Sequence, residues 1–580
     1  MRLQSDNNPG THLIAVAAAA LVLALVLLYP LPLVLGDALP FNLGDPLLNA
    51  WILGWTSERL PYALDGVWDA PVFYPNIGTL AYSEHLLGVT IFVAPVYWLT
   101  GNGILAHNVA IVLSFVIAAV SMFLLAETLT GRRDAAWVAA LAFAFCPPRL
   151  GGQLARVQVM MAAWLPLVFW GLHSYGKSGR GRFLAASTGA YLLLALSNIY
   201  LACYALPALV TVAGYVLMPR RAEARRVGRE LLLAGAAVAV VLVPIAAEYK
   251  AVKDRFNVIR PVTELDLYSA SVDSYVSVSP TSPLSRMLVT QVTADQALFP
   301  GFVLLTCVAL AFVPRKLTSR PWPFWQLIAL YGTVGTLSVA LSFGPRIRWS
   351  ETSDVIAYGP YYWLWKYVPG FDGLRAPGRF GLVVVLALAV IAAIGAAKLM
   401  AGRSRLFRSA VIAAAAVGIF AEGYGGPLPI ERFSPTVSAA DRQAYEWLRT
   451  AGEGVVLELP VTGAATLVPL NAAVRPSLRY QYLALEHGHP LVNGASGYAP
   501  RFMRRRDAAL APWTEHTDMP GILAEARRVG VRYIVVHVND YLYAPLANAV
   551  LEVIRNSGWI ERELEFGSTI IFEMRSPATP

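Results

Sequence analysis

The feature that most constrains this chain is a recurrence of long apolar runs, separated by short basic clusters. The runs lie near 13–35, 112–129, 135–147, 158–172, 183–197, 199–218, 231–247, 300–313, 324–343, 380–400 and 408–421. A helix crossing the bilayer core needs about 20 apolar residues, and inside hydrocarbon every backbone polar group must be satisfied within the segment. Composition agrees: 56% of residues are hydrophobic and 14% charged, where a soluble domain carries about 25% charged residues. The expected fold class is therefore mainly α, a polytopic transmembrane helix bundle with about 11–13 crossings.

Charge sets the expected topology. Arg132-Arg133 and the basic clusters in 177–182, 220–229, 315–320 and 403–408 alternate with junctions poorer in charge, and basic loops stay on the cytoplasmic side. That places 36–85, 148–157, 248–299, 344–379 and everything after about 424 outside, with the N-terminus cytoplasmic, in the cell (inner) membrane. The first run reads as a retained helix rather than a signal peptide, since no A-x-A site follows it. Segment 85–100 is the exception: as a full crossing it would invert every later cluster, so either it is re-entrant or interfacial, or 135–147 fails to cross. The net charge of +9 is dispersed between the apolar runs, whereas nucleic-acid binding needs one basic patch. Cys146, Cys203 and Cys307 sit in apolar runs with no CxxC spacing, which argues against disulfides and a cysteine-ligated metal.

From about 425 the pattern changes to period two. Residues 455–459 and 533–538 read as strands, 522–529 as a helix closed by Gly530, and 560–565 with 568–574 as a hairpin about Phe566-Gly567. The expected organisation is thus a helix bundle over 1–424, with a long first outer loop (36–85) and outer loops 248–299 and 344–379. An extracytoplasmic α/β domain over 425–580 follows it, without a nucleotide-binding motif. In that domain the run from Tyr480-Gln481-Tyr482 to Asn493 and Tyr498 either faces a sugar or packs the domain onto the bundle.

Candidate chemistry gathers in the outer segments. Asp45-Pro46 reads as an N-cap followed by proline at the first helical position. Leu48, Trp51, Ile52 and Trp55 then share one helix face, which suits a helix lying on the membrane surface. Asp45 is either only a cap or a general base held beside the membrane. Glu84 and His85 close the loop at a membrane boundary, where ionisable pairs are expensive unless hydrated or paired; the pair can also contribute to a divalent-cation site, which leaves the metal requirement open. Arg149, Gln153, Arg156 and Gln158 follow Pro147-Pro148, Asn198 and Tyr200 interrupt an apolar stretch, and Arg375 and Arg379 precede a helix. Arginine binds phosphate bidentately and keeps its proton, and arginines outside are not explained by the positive-inside rule; each is either a phosphate ligand or an interfacial anchor.

Taken together these motifs resemble the GT-C class of membrane glycosyltransferases, and more closely bacterial proteins of the YfhO type. The shared features are Gly44-Asp45, the S-E-H-L-L-G stretch at 83–88, Pro148-Arg149, S-N-x-Y at 197–200, L-F-P-G at 298–301, P-G-F-x-x-L-R-x-P-x-R-F at 369–380 and P-L-V-N-G-x-S-G at 490–497. The resemblance implies a sugar donor on a polyprenyl phosphate and an extracytoplasmic acceptor, whether cell-envelope glycan, lipid or protein. It also implies inversion at the anomeric carbon, Asp45 as the general base and Glu84 as a second catalytic acid. His85, Arg149, Arg156, Asn198, Tyr200, Arg375 and Arg379 are the expected substrate-binding residues. Asp45 lacks the adjacent acidic partner common in the class. Two other readings share the layout: a flippase or transporter of lipid-linked glycans, and a non-catalytic envelope-assembly protein. A transporter usually shows paired repeats with broken helices, which the sequence lacks.

Overall fold

In the computed structural model, residues 9–256, 260–290, 293, 295–315, 322–460, 475–497, 519–541 and 544–575 are described. Each of the eleven apolar runs forms helix. Among the described residues seven stretches are long and apolar enough to cross a membrane: Gly10–Leu27, Gly103–Thr130, Val157–Ser178, Ile199–Arg255, Phe324–Ser342, Pro377–Met400 and Arg405–Gly423. Ile199–Arg255 covers two of the apolar runs. The helices Leu87–Thr100 and Arg133–Ala144 have 14 and 12 residues. At about 1.5 Å per residue each is shorter than a core about 30 Å thick.

The chain divides into two compact units. The first comprises Met1–Leu33, Val109–Ile245 and Val258–Leu428; the second comprises Val34–Asn108, Ala246–Asn257 and Pro429–Pro580. The division differs from a single cut near 424, because the first long loop folds with the C-terminal segment. Backbone pairing does this: Ala38–Pro40 runs antiparallel to Ile430–Arg432, while the Phe73 and Tyr74 N–H groups donate to the carbonyls of Asn493 and Leu491.

The first unit is a helix bundle around Gly381–Met400, an apolar helix buried along nearly its whole length. It packs against Phe302–Ala311, Phe324–Ser342 and Arg133–Ala144. Its contact with Phe302–Ala311 is close enough that a Cβ on Gly395 would lie 1.8 Å from the Cys307 carbonyl oxygen. Glycine is needed there because two helix backbones touch.

The second unit contains a four-stranded sheet of spatial order Val455–Leu459, Val531–His537, Thr569–Met574, Ile560–Phe566. The first pair is parallel and the other two are antiparallel. These are the strands expected from the period-two runs, and the helix Met519–Arg528 ends before Gly530, whose φ is +81°. An apolar core of Leu457, Leu459, Ile534, Val536 and Phe572 meets the helices Met519–Arg528 and Ala544–Arg555 through Leu523, Leu551 and Ile554. The run at 480–482 does not face outward: Tyr480, Gln481 and Tyr482 are buried. Tyr480 stacks on His537 and donates to Asp540, and Tyr482 accepts the Ile104 N–H. These tyrosines pack the unit internally, so the sugar-facing alternative is withdrawn for them; Tyr498 lies outside the described residues.

Candidate functional site

Asp45 opens the helix Asp45–Arg59, but not as its cap. Gly44 is the N-cap, and its own N–H is taken by the Asn42 side chain at 2.8 Å. Asp45 is therefore the first helical residue, exposed, at the positive end of the helix dipole, where a carboxylate is favoured. The rest of this helix is not an interfacial one. Eleven of its 15 residues are buried, including Trp51, Ile52 and Trp55, because it is covered by Leu87–Thr100 and by Arg475–His487. A Cβ on Gly54 would lie 2.7 Å from Leu485 Cδ1. The apolar stripe buries against protein instead of lipid, and Asp45 is held on a rigid, packed element.

Glu84 and His85 belong to the same unit. Glu84 is half-buried, whereas His85 is buried, edge-on to Trp68 and beside Tyr249, with ring centroids 5.8 and 6.2 Å away. The His85 Nδ1 accepts the Leu87 N–H at 3.1 Å. Burial pushes the imidazole down to about 4, so at neutral pH it is uncharged and carries its proton on Nε2. Tyr249 donates to the Ser83 carbonyl at 2.8 Å and ties the loop end to the helix Ala224–Phe256. Among the described residues no group of three or more His, Cys, Asp or Glu could hold a metal ion, and the His85 Nδ1 is already engaged. No chemical step is derived through a divalent cation.

The remaining candidates lie in the first unit and divide into two kinds. Arg149 is 1% exposed. Its guanidinium donates to the carbonyls of Ala144, Met160 and Ser114 at 3.1, 3.0 and 3.2 Å and lies over the Phe115 ring. A buried cation wrapped in backbone carbonyls holds helix ends together and has little left for a ligand. Asn198 caps the helix Ile199–Leu217 by accepting the Leu201 N–H at 3.0 Å.

Arg156 and Arg379 are brought together by a residue the sequence did not reveal. Asp295, wholly buried, accepts from Arg156 Nη1 at 3.1 Å, Arg379 Nε at 3.3 Å and Gln153 Nε2 at 3.1 Å. Burial alone would raise its pKa; the two guanidinium groups and the amide hold it below the usual carboxylate value. Gly378 allows the approach, since a Cβ there would stand 2.2 Å from the Asp295 carbonyl oxygen. Tyr200 lies under the Arg379 guanidinium, 5.5 Å from its ring centroid, and donates to Gly373. Arg375, half-buried, lies over Tyr268 and 3.9 Å from Glu264, which also pairs with Arg260. Arg375 lies just before the membrane-crossing stretch Pro377–Met400, and Arg379 lies in its first turn. Guanidinium groups at that level are suited to bind an anion at the interface.

No family model matches the chain, and no curated protein matches it. Solved structures do. Arabinofuranosyltransferase AftD from Mycobacteria is similar with a TM-score of 0.63 at 16% identity, over 100% of this chain and 41% of that one. ArnT from Cupriavidus metallidurans, bound to undecaprenyl phosphate, is similar with a TM-score of 0.47 at 15% identity, over 97% and 98% of the two chains. This chain spans about two fifths of the AftD chain. The likeness shows a fold: a multi-pass, GT-C-like membrane helix bundle with a small C-terminal α/β domain.

Proposed function

We propose that the protein is a glycosyltransferase, YfhO-like in its motifs, moving a sugar from a polyprenyl-phosphate donor to an extracytoplasmic glycan, lipid or protein acceptor. The observation that carries this reading is the pair of arginines on Asp295, on a fold that is similar along the whole of this chain to part of an arabinofuranosyltransferase. Arg156, Arg375 and Arg379 would hold the donor phosphate. Asp45 takes the acceptor hydroxyl proton as its oxygen attacks the anomeric carbon. The carbon–oxygen bond to phosphate breaks with inversion, and the electron pair leaves on the phosphate, where guanidinium groups stabilise it. Glu84 is the second acidic group, and neutral His85 offers its Nε2–H to a sugar hydroxyl. Arg149 and Asn198, assigned to substrate by the motif resemblance, have internal partners that support structural roles instead.

The test is transfer from a radiolabelled polyprenyl-phosphate sugar in membranes holding wild type or Asp45→Asn. Asn matches Asp in size and keeps one accepting side-chain oxygen, so it should leave folding intact while general-base loss lowers turnover by about 10²–10⁴-fold. Wild-type turnover in Asp45→Asn sinks the base assignment. Labelled lipid that changes leaflet without transfer would identify a flippase.

A further inference from the structure

Segment 343–376 joins two membrane-crossing stretches, Phe324–Ser342 and Pro377–Met400, so both its ends are held at one bilayer face. It forms an antiparallel hairpin, Arg346–Arg348 with Val355–Tyr358, followed by the helix Tyr361–Tyr367. One side is anchored in protein. Arg346 and Arg348 bind the buried Asp266 carboxylate, and Tyr361 is buried against Tyr204 and Phe371.

The other side is bare. All four residues of Val355–Tyr358 are exposed, as are Trp349, Trp363 and Tyr367, the last three at 64%, 56% and 64%. A two-stranded hairpin is marginal in water, and an apolar strand exposed on both faces has no protein to bury against. Patches of this kind mark contact with a partner or a membrane. Three features favour the membrane: the tether to spans at both ends, the Trp and Tyr enrichment typical of bilayer interfaces, and Lys366. Its ammonium lies 5.6 and 5.3 Å from the Tyr362 and Tyr367 rings, as an interfacial cation does. Glu351 and Asp354 at the hairpin turn are exposed, which suits lying along the headgroup layer and not plunging through it.

We propose that the hairpin and helix of 343–376 form a lipid-contacting lip seated at the headgroup–acyl boundary. The occupant is phospholipid. The lip holds the segment that follows it, with Arg375 and Arg379, at the depth of lipid phosphates. This placement stands whether or not the protein transfers sugar.

The full chain in phosphatidylethanolamine–phosphatidylglycerol vesicles tests it, with a nitroxide at Ile356→Cys or Tyr358→Cys and a reference at Gln443→Cys on the helix Ala439–Thr450. At 356 and 358 dissolved oxygen should relax the label more than a water-soluble nickel chelate, with the order reversed at 443. Nickel access equal to that at 443 overturns the proposal. Nickel access that falls only on adding an oligosaccharide also overturns it, in favour of a sugar platform. A measurement free of labels uses bromine-substituted phospholipids: the Trp349→Phe/Trp363→Phe variant should show a smaller quenched fraction than wild type, and an equal fraction overturns the lip.

Discussion

Two buried charge centres, one in each compact unit, are built in opposite senses. In the first unit one carboxylate, Asp295, serves two arginines and a glutamine. In the second, one imidazole, His537, serves two carboxylates: Nδ1 lies 2.8 Å from Asp441 and Nε2 2.7 Å from Glu458. Thr569 and Ser438 complete Asp441, and Tyr445 donates to Glu458. Burial would lower the imidazole pKa, but the two carboxylates raise it to about 9. The His537 centre joins the helix Ala439–Thr450 to three strands of the sheet. The Asp295 centre sets two guanidinium groups against one carboxylate, and guanidinium does not titrate. One arrangement fastens an element; the other can hold an anion.

The largest expected effect breaks the first centre. Asp295→Ala leaves two largely buried guanidinium groups without their carboxylate, a loss of about 3–5 kcal/mol for a broken buried pair. It should appear as a lower Tm of the detergent-solubilised protein. Inorganic phosphate or a polyprenyl phosphate should recover part of that Tm, since a ligand that binds only the native state stabilises it. An unchanged Tm would show that Asp295 does not hold the arginines.

The second centre should respond to pH instead. The folded pKa of His537, about 9, lies above its unfolded value near 6.5. Its contribution is therefore complete below about pH 6.5 and is lost as pH rises through 9. At about 1.4 kcal/mol per unit the loss is about 3 kcal/mol. The protection factors of the amides in Val531–His537, which discount the intrinsic rise of exchange with pH, should fall over that interval in wild type and much less in His537→Gln. An equal fall in both would assign the effect to another group.

How far the sequence foretold these centres depends on the separation of their parts. The helices and the C-terminal strands were legible because apolar length and period two are local signals. The Asp45 cap was misplaced by one residue: Gly44 is the N-cap and Asp45 the first helical residue, while Asn42 accepts the Gly44 N–H. The Asp45–Arg59 stripe did not reveal that the helix is buried on nearly every side, partly by Arg475–His487, hundreds of residues away. Asp295 was invisible for the same reason: its partners lie 142, 139 and 84 positions away. The only local hint was an acidic residue three positions before the L-F-P-G motif in an outer loop.

The smallest expected effect separates two arginines that the sequence treated alike. Arg149 reaches three carbonyls from different turns of chain, a fan that one ammonium cannot reproduce. Arg149→Lys should lower Tm by an amount equivalent to about 1–3 kcal/mol, the cost of leaving buried polar groups unmade, with the KM for donor unchanged. Arg379→Lys keeps a cation beside Asp295 and should leave Tm nearly intact. It gives up the fork that matches two phosphate oxygens, so it should raise the KM for donor. If both variants shift Tm alike and neither shifts KM, the Asp295 centre fastens the bundle just as the His537 centre fastens the sheet, and the contrast between the two units fails.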